Sequence, residues 1–330
     1  MWPFSSRPEV GCLGKLPCAA DFSVQQPLGV PAEETLSPWL HAIAGGGGQS
    51  ASSPGSSPGF DFLAMEPGGR GGIAGRLWPS ADSAGRSFPF ALYKSFHRRD
   101  LKPDLAALLP RLPPLWGALD GLVEAGGRSW IDGGADIGAV RAAIRGAKVS
   151  LPEPDGARAY AKGLRDREPW PILAAIFAGK GAAEIAAALI RFGRFIENLA
   201  AEQPAVALRV PMSPAMSASE QSLFWAAWME ARLGRPVPLP RLFVQERWLR
   251  GRLAEAAKGI WFIYRAPLAQ DAEVLFHGRA THEYLCDLAQ GGSEPAADDG
   301  AFAERLRSFR TCGELFAVPI RPDLVTGWTR

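Results

Sequence analysis

The chain has 330 residues, 47% hydrophobic and 21% charged, with eleven tryptophans and seventeen phenylalanines; that is the make-up of a globular protein with a large core and excludes a disordered chain. Thirty-six basic and 34 acidic residues leave a net charge of +2, a balance that demands no nucleic-acid partner. The four cysteines (Cys12, Cys18, Cys286 and Cys312) are too sparse for a disulfide scaffold and form no CxxC pair, so they read as reduced core thiols of a cytoplasmic protein.

In chain order, the opening MWPFSSRPEV lacks a basic segment followed by an apolar one, so no signal peptide is expected. Apolar stretches are broken by Gly, Arg or Pro before the roughly 18 residues of a membrane span. EVGCLGKL, residues 9–16, reads as a short strand ending in a turn at Pro17. EETLSPWLHAIA, 33–44, reads as a helix with Pro38 in its first turn or at a kink. GGGGQSASSPGSSPG, 45–59, is a low-complexity loop expected to be disordered. Between Gly71 and Phe96, two strand-like runs flank ADSAG, which predicts a hairpin with its loop around Asp82 to Gly85; Pro89 points to an edge position or a bulge. The run HRRDLK, 97–102, is the densest basic stretch and reads as a solvated helix start.

Further on, Pro110, Pro113 and Pro114 predict a short helix, a break and a second helix around 115–125. Residues 136–147 form an amphipathic helix capped by Asp136, and 151–171, with four prolines, read as a connector. A long helix is predicted over 181–202, a strand over 205–210, and a helix after Ser217, whose S-x-x-E spacing to Glu220 is a capping box. Phe224 with Trp228, and Trp225 with Met229, stand four apart and read as core. Strands are expected at 241–245, 259–267 and 273–278, helices at 281–290 and 301–309, a linker at 291–300 and a closing strand at 315–320. Strands thus come in pairs as well as between helices. That favours an α/β (α+β) fold with a mixed, largely antiparallel central sheet flanked by helices on both faces. A main domain is expected over 1–245, with 246–330 a C-terminal extension packed on the same core.

Several stretches resemble chemical motifs. GCLGKLPCAADF, 11–22, sets Gly14 and Lys15 before Leu16 and Pro17; a phosphate-binding loop needs a hydroxyl after the lysine and free backbone N–H groups, so no nucleotide cofactor is expected and Lys15 reads as a surface or partner contact. GRGGIA, 69–74, fits a dinucleotide fingerprint in letters, but strand-like residues follow where a helix should begin. Ser83 in ADSAG approaches a nucleophile elbow, with Ala81 for the first glycine, and Asp271 with His277 or His282 would complete a serine hydrolase order; the turn composition of Asp, Ser and Gly favours a plain hairpin turn instead. His282 and Cys286, one helical turn apart, could bind zinc with His277 as third ligand, although Cys286 also suits a core face, and no metal is expected.

Two stretches together carry a resemblance. Gly11, Gly14, Lys15, Leu16, Pro17, Asp21 and Phe22 are followed by Pro38 and Trp39, then by Gly75, Pro79, Ser80, Asp82, Gly85, Arg86, Phe88 and Pro89. This pattern resembles the TagF (ImpM) family of type VI secretion system accessory proteins, as does SLFW at 222–225. Ala20 stands where that family has glycine, and the chain is longer than its usual members. The resemblance implies a TagF-like domain within 1–245. It also implies a cytoplasmic, non-enzymatic regulator, a post-translational repressor of assembly that acts through a forkhead-associated scaffold protein. The residues expected to form the partner-binding or motif turn are Lys15, Asp21, Ser80, Asp82 and Arg86, which read equally as residues that only hold the fold. An unpaired charge beside apolar neighbours is costly, so Asp21 or Asp82 is expected to pair with Arg86 and tie the first turn to the hairpin turn.

Overall fold

The computed structural model describes residues 10–21, 23–25, 36, 40–41, 59–66, 71–78, 80–97, 104–124, 130, 133–151, 163–201, 207–246, 259–265, 268, 270–271, 274, 285–288 and 299–318. Nine strands are β1 (Val10–Gly14), β2 (Ser23–Gln25), β3 (Phe60–Met65), β4 (Gly71–Trp78), β5 (Phe90–His97), β6 (Ala207–Pro211), β7 (Leu242–Glu246), β8 (Gly259–Ile263) and β9 (Cys286–Asp287). The helices whose bounds lie among the described residues are α1 (Leu105–Leu108), α2 (Leu112–Val123), α3 (Ile137–Gly146), α4 (Pro169–Ile176), α5 (Ala182–Ala200), α6 (Ala218–Leu233), α7 (Asp299–Ser308) and α8 (Cys312–Ala317).

One sheet joins the strands in the order β2-β1-β5-β4-β3-β7-β8-β6-β9. Its neighbours are antiparallel except β6 and β9, so the sheet is mixed and largely antiparallel. Alternation along each strand sends side chains to two cores. Phe90, Leu92 and Phe96 of β5, Leu63 of β3, Phe243 of β7 and Phe262 of β8 enter a large core shared with the apolar faces of α1 to α8. Phe60, Phe62, Ile73, Leu77, Tyr93, Val244 and Trp261 enter a smaller one on the opposite face, with Leu36, Leu40 and Val274, which are themselves helical. Gly259–Ile263 lies inside the sheet, between β7 and β6.

Around β3 and β4 a buried charge network sits in the large core. Arg76 Nη1 is 2.8 Å from Asp61 Oδ1 on the neighbouring strand, Nη2 is 3.0 Å from Asp120 Oδ2 on α2, and Nε donates to the Trp116 carbonyl at 2.7 Å. In the same core, Phe192 of α5 meets Trp225 and Trp228 of α6 edge-on at 4.9 and 5.1 Å, and Trp228 stacks on Phe316 of α8 at 5.3 Å.

Several expectations hold: the hairpin of β4 and β5, the Asp136-capped α3, the long α5 and the capping box of α6, where Glu220 N donates to Ser217 Oγ at 3.2 Å. Others are corrected. The break before α2 is a 3-10 turn, Leu109–Arg111, that runs into the helix, because prolines are tolerated where no intrahelical N–H is needed. The same reason lets α4 begin within the last residues of the expected connector, with Pro169 in its first turn. β5 lies between β1 and β4, not at an edge, and Pro89 stands just before its ladder. Residues 315–317 close a helix, not a strand: the Thr311 hydroxyl accepts from Glu314 N at 3.2 Å and starts α8. Cys286 and Asp287 are a strand, not part of a helix, because β6 pairs with them and Arg209 Nη1 holds Asp287 Oδ2 at 3.0 Å. Of 273–278 only Val274 is described, and it is helical, not extended. The low-complexity stretch lies outside the described residues apart from Gly59.

Candidate functional site

The site is the meeting of two turns. β1 ends at Gly14, whose φ of +128° lies in the region that favours glycine; an added Cβ would sit 2.0 Å from the Pro89 carbonyl oxygen. This close approach lets β1 pair with the start of β5, Gly14 opposite Phe90. The chain then turns, with Ala19 N donating to the Leu16 carbonyl at 2.9 Å. The second turn lies between β4 and β5. Phe88 N donates to the Ser80 carbonyl and Gly85 N to that of Asp82, both at 2.9 Å, and Gly85 takes a φ of +77°. Asp82 organises this turn from within: its Oδ1 accepts from Ala84 N at 3.0 Å and from Arg86 N at 2.9 Å.

Three contacts tie the turns together, and a fourth, within the second turn, orients the Arg86 side chain. Lys15 Nζ is 3.1 Å from Asp82 Oδ2, and Arg86 Nε is 2.6 Å from the same oxygen. Arg86 Nη2 donates to the Ala20 carbonyl at 2.7 Å, and Ser83 N donates to the Ala19 carbonyl at 2.9 Å. The Arg86 guanidinium thus spans from its own turn to the first one. Burial acts to raise the Asp82 carboxyl, but the hydrogen bonds from Arg86 N, the Lys15 ammonium and the Arg86 guanidinium outweigh it and hold the group at about 2.

The five sequence candidates divide by burial. Lys15 (7% exposed) and Asp82 (4%) are interior, so Lys15 is not the surface contact expected of it; a buried ammonium needs its carboxylate, and Asp82 supplies it. Ser80 is buried as well, with its hydroxyl unpartnered among the described residues. Asp21 is exposed, and the Arg86 side chain is 59% exposed. Arg86 pairs with Asp82, and the ties between the two turns run through Lys15 and the Ala20 carbonyl. Ser83, Ala84, Gly85 and Ser87 complete the exposed rim.

The other candidates are placed differently. Ser83 stands at the tip of a strand-to-strand turn, not on the strand-to-helix elbow that exposes a nucleophile. Both Asp271 carboxylate oxygens accept from the Arg265 guanidinium at 2.6 Å. His277 and His282 lie outside the described residues, and the helical spacing that joined His282 to Cys286 does not extend to Cys286, which is in β9. Among the described residues no group of three or more His, Cys, Asp and Glu could hold a metal ion. None of their helices is long and apolar enough to cross a membrane. Sequence reasoning missed the Arg76 network; its signal was an arginine inside an otherwise apolar strand.

Comparisons with known proteins bear on this site. A search of curated proteins finds no match. Among solved structures, the chain is similar to PA0076 from Pseudomonas aeruginosa PAO1, with 22% identity, a TM-score of 0.32 and coverage of 44% of this chain and 63% of that one. The chain therefore spans less than two thirds of that protein's length. The model of the TagF N-terminal domain, type VI secretion system-associated, matches residues 11–126, a stretch that contains both turns and the contacts between them. Over residues 11–126 the chain carries a TagF N-terminal domain, type VI secretion system-associated.

Proposed function

We propose that the paired turns form the docking surface of a non-enzymatic, cytoplasmic regulator that represses assembly of the type VI secretion apparatus through a forkhead-associated scaffold protein. The observation that carries this reading is the cross-bracing of the two turns. Lys15, Asp82 and Arg86 fix two loops from distant parts of the chain into one rigid surface, with Asp21, Ser83 and Arg86 at its rim. Pre-organised loops lose little entropy on binding, which is what a recognition surface requires. The family match and the resemblance of the motif residues give the biological setting.

The test is calorimetric titration of the purified chain with the forkhead-associated scaffold of the same apparatus, together with secretion measured after deletion of this chain. Binding that is lost in the double variant D21K/R86E, and secretion that rises on deletion, would support the reading. No binding by the unaltered chain and unchanged secretion would end it.

A further inference from the structure

The helix beside the first turn carries a second feature. In α3, Val140, Ile144 and the following Ala147 face the core, and the opposite side is exposed. On that side Arg141 and Arg145 stand at i and i+4, on one stripe, and exposed Lys148 follows just past the helix end. Among the described residues none of the three makes an ion pair; the only bond between them runs from Arg145 Nε to the Arg141 carbonyl, at 3.3 Å. The helix dipole accounts for Arg145, in the last turn, but not for Arg141 in the middle. The remaining exposed positions of the helix are Gly138, Ala139, Ala142 and Gly146, which leave the cations standing clear of the backbone around them.

The N-terminal end of this helix adjoins the first of the paired turns. α3 packs against β1. An added Cβ at Gly133, just before the helix, would lie 3.1 Å from Pro17 Cβ of the first turn. The charge of its cap, Asp136, reaches Cys18 in the same turn. Ten helical residues extend about 15 Å, so the three cations lie within about 20 Å of that turn along the helix axis.

We propose that Arg141, Arg145 and Lys148 form the electrostatic half of the docking surface and take an acidic patch of the partner protein. The inference rests on the reading of the paired turns as that surface, and it assigns the partner's chemistry: carboxylates set beside the segment that meets Asp21 and Arg86. Exposed cations of one sign steer association and set its salt dependence.

The experiment titrates the full chain, and its variants R141E/R145E/K148E and R141Q/R145Q/K148Q, with the forkhead-associated scaffold at low and high salt. Circular dichroism confirms that each variant is folded. The expected result is binding weakened by about tenfold or more in the Glu variant and less in the Gln variant, with a flatter salt dependence in both. Unaltered affinity and salt dependence in both variants would overturn the inference while leaving the paired-turn reading intact. No binding by the unaltered chain would overturn both. A short DNA duplex and anionic phosphatidylglycerol vesicles are titrated in parallel; binding to either that depends on the three cations, with the scaffold unaffected by them, would also overturn the proposal.

Discussion

Lys15 Nζ lies 3.1 Å from Asp82 Oδ2, and both side chains are buried. The contact joins the end of β1 to the loop between β4 and β5. The lysine sits in a Gly-Lys sequence that mimics a phosphate-binding loop, yet its charge is satisfied inside the protein by an aspartate from another turn. Arg86, on the outer side of the same carboxylate, then reaches the Ala20 carbonyl.

Asp82 makes stability depend on acid. Its carboxyl is lowered from 3.8 to about 2, so the unfolded chain takes up the proton first. The stability this group contributes is complete above its ordinary value and is lost as pH falls from about 4 towards 2. Chemical denaturation across this range should show a slope that Asp82→Asn removes. Lys15→Met should lower Tm by several degrees at neutral pH and move the slope to higher pH, because the carboxylate keeps only one of its two cationic partners.

Gly14 and Gly85 both have positive φ but differ in surroundings. Gly14→Ala drives a methyl into the Pro89 carbonyl and should cost about 3 kcal/mol or more, enough to separate β1 from β5. Gly85→Ala meets nothing within 4 Å and should cost only the left-handed backbone strain, about 1 kcal/mol. Urea denaturation of the two variants measures the difference.

Phe192 is fully buried and meets both Trp225 and Trp228 edge-on. Phe192→Ala should cost about 3–5 kcal/mol and alter the near-UV dichroism of the stacked tryptophans. An unchanged aromatic spectrum would show that the ring does not set their geometry.

Thiol chemistry reports on the C-terminal elements. Burial raises Cys286 to about 12, with Arg191 opposing and Asp287 adding, and burial raises Cys312 to about 12 with Arg167 opposing. At pH 8 their thiolate fraction is about one in ten thousand. Iodoacetamide should leave both unmodified in the native chain and label all four cysteines in urea. Rapid native labelling of Cys312 would show that α8 opens.

How far the sequence could be read varies with the element. α3 and α6 were legible because a cap and an apolar stripe are local signals: Asp136 and Ser217 each bond within their own first turn. β3 was not. It is central and buried, but Asp61 interrupts its apolar run, and only Arg76 on the next strand and Asp120 on α2 show how that charge is accommodated. β9 and α8 were misread for the same kind of reason. Their short apolar runs suit helix or strand alike, and a pairing partner on β6 or a cap at Thr311 decided between them.

By itself, the sequence determined the mixed sheet, the hairpin turn and the two motif stretches, since turn chemistry, capping and periodicity act over a few residues. Only the tertiary structure decided what Lys15 does. Burial, unlike turn propensity, depends on which distant segment covers a side chain. Here that segment brings Asp82 and turns an apparent surface lysine into the internal brace of the site.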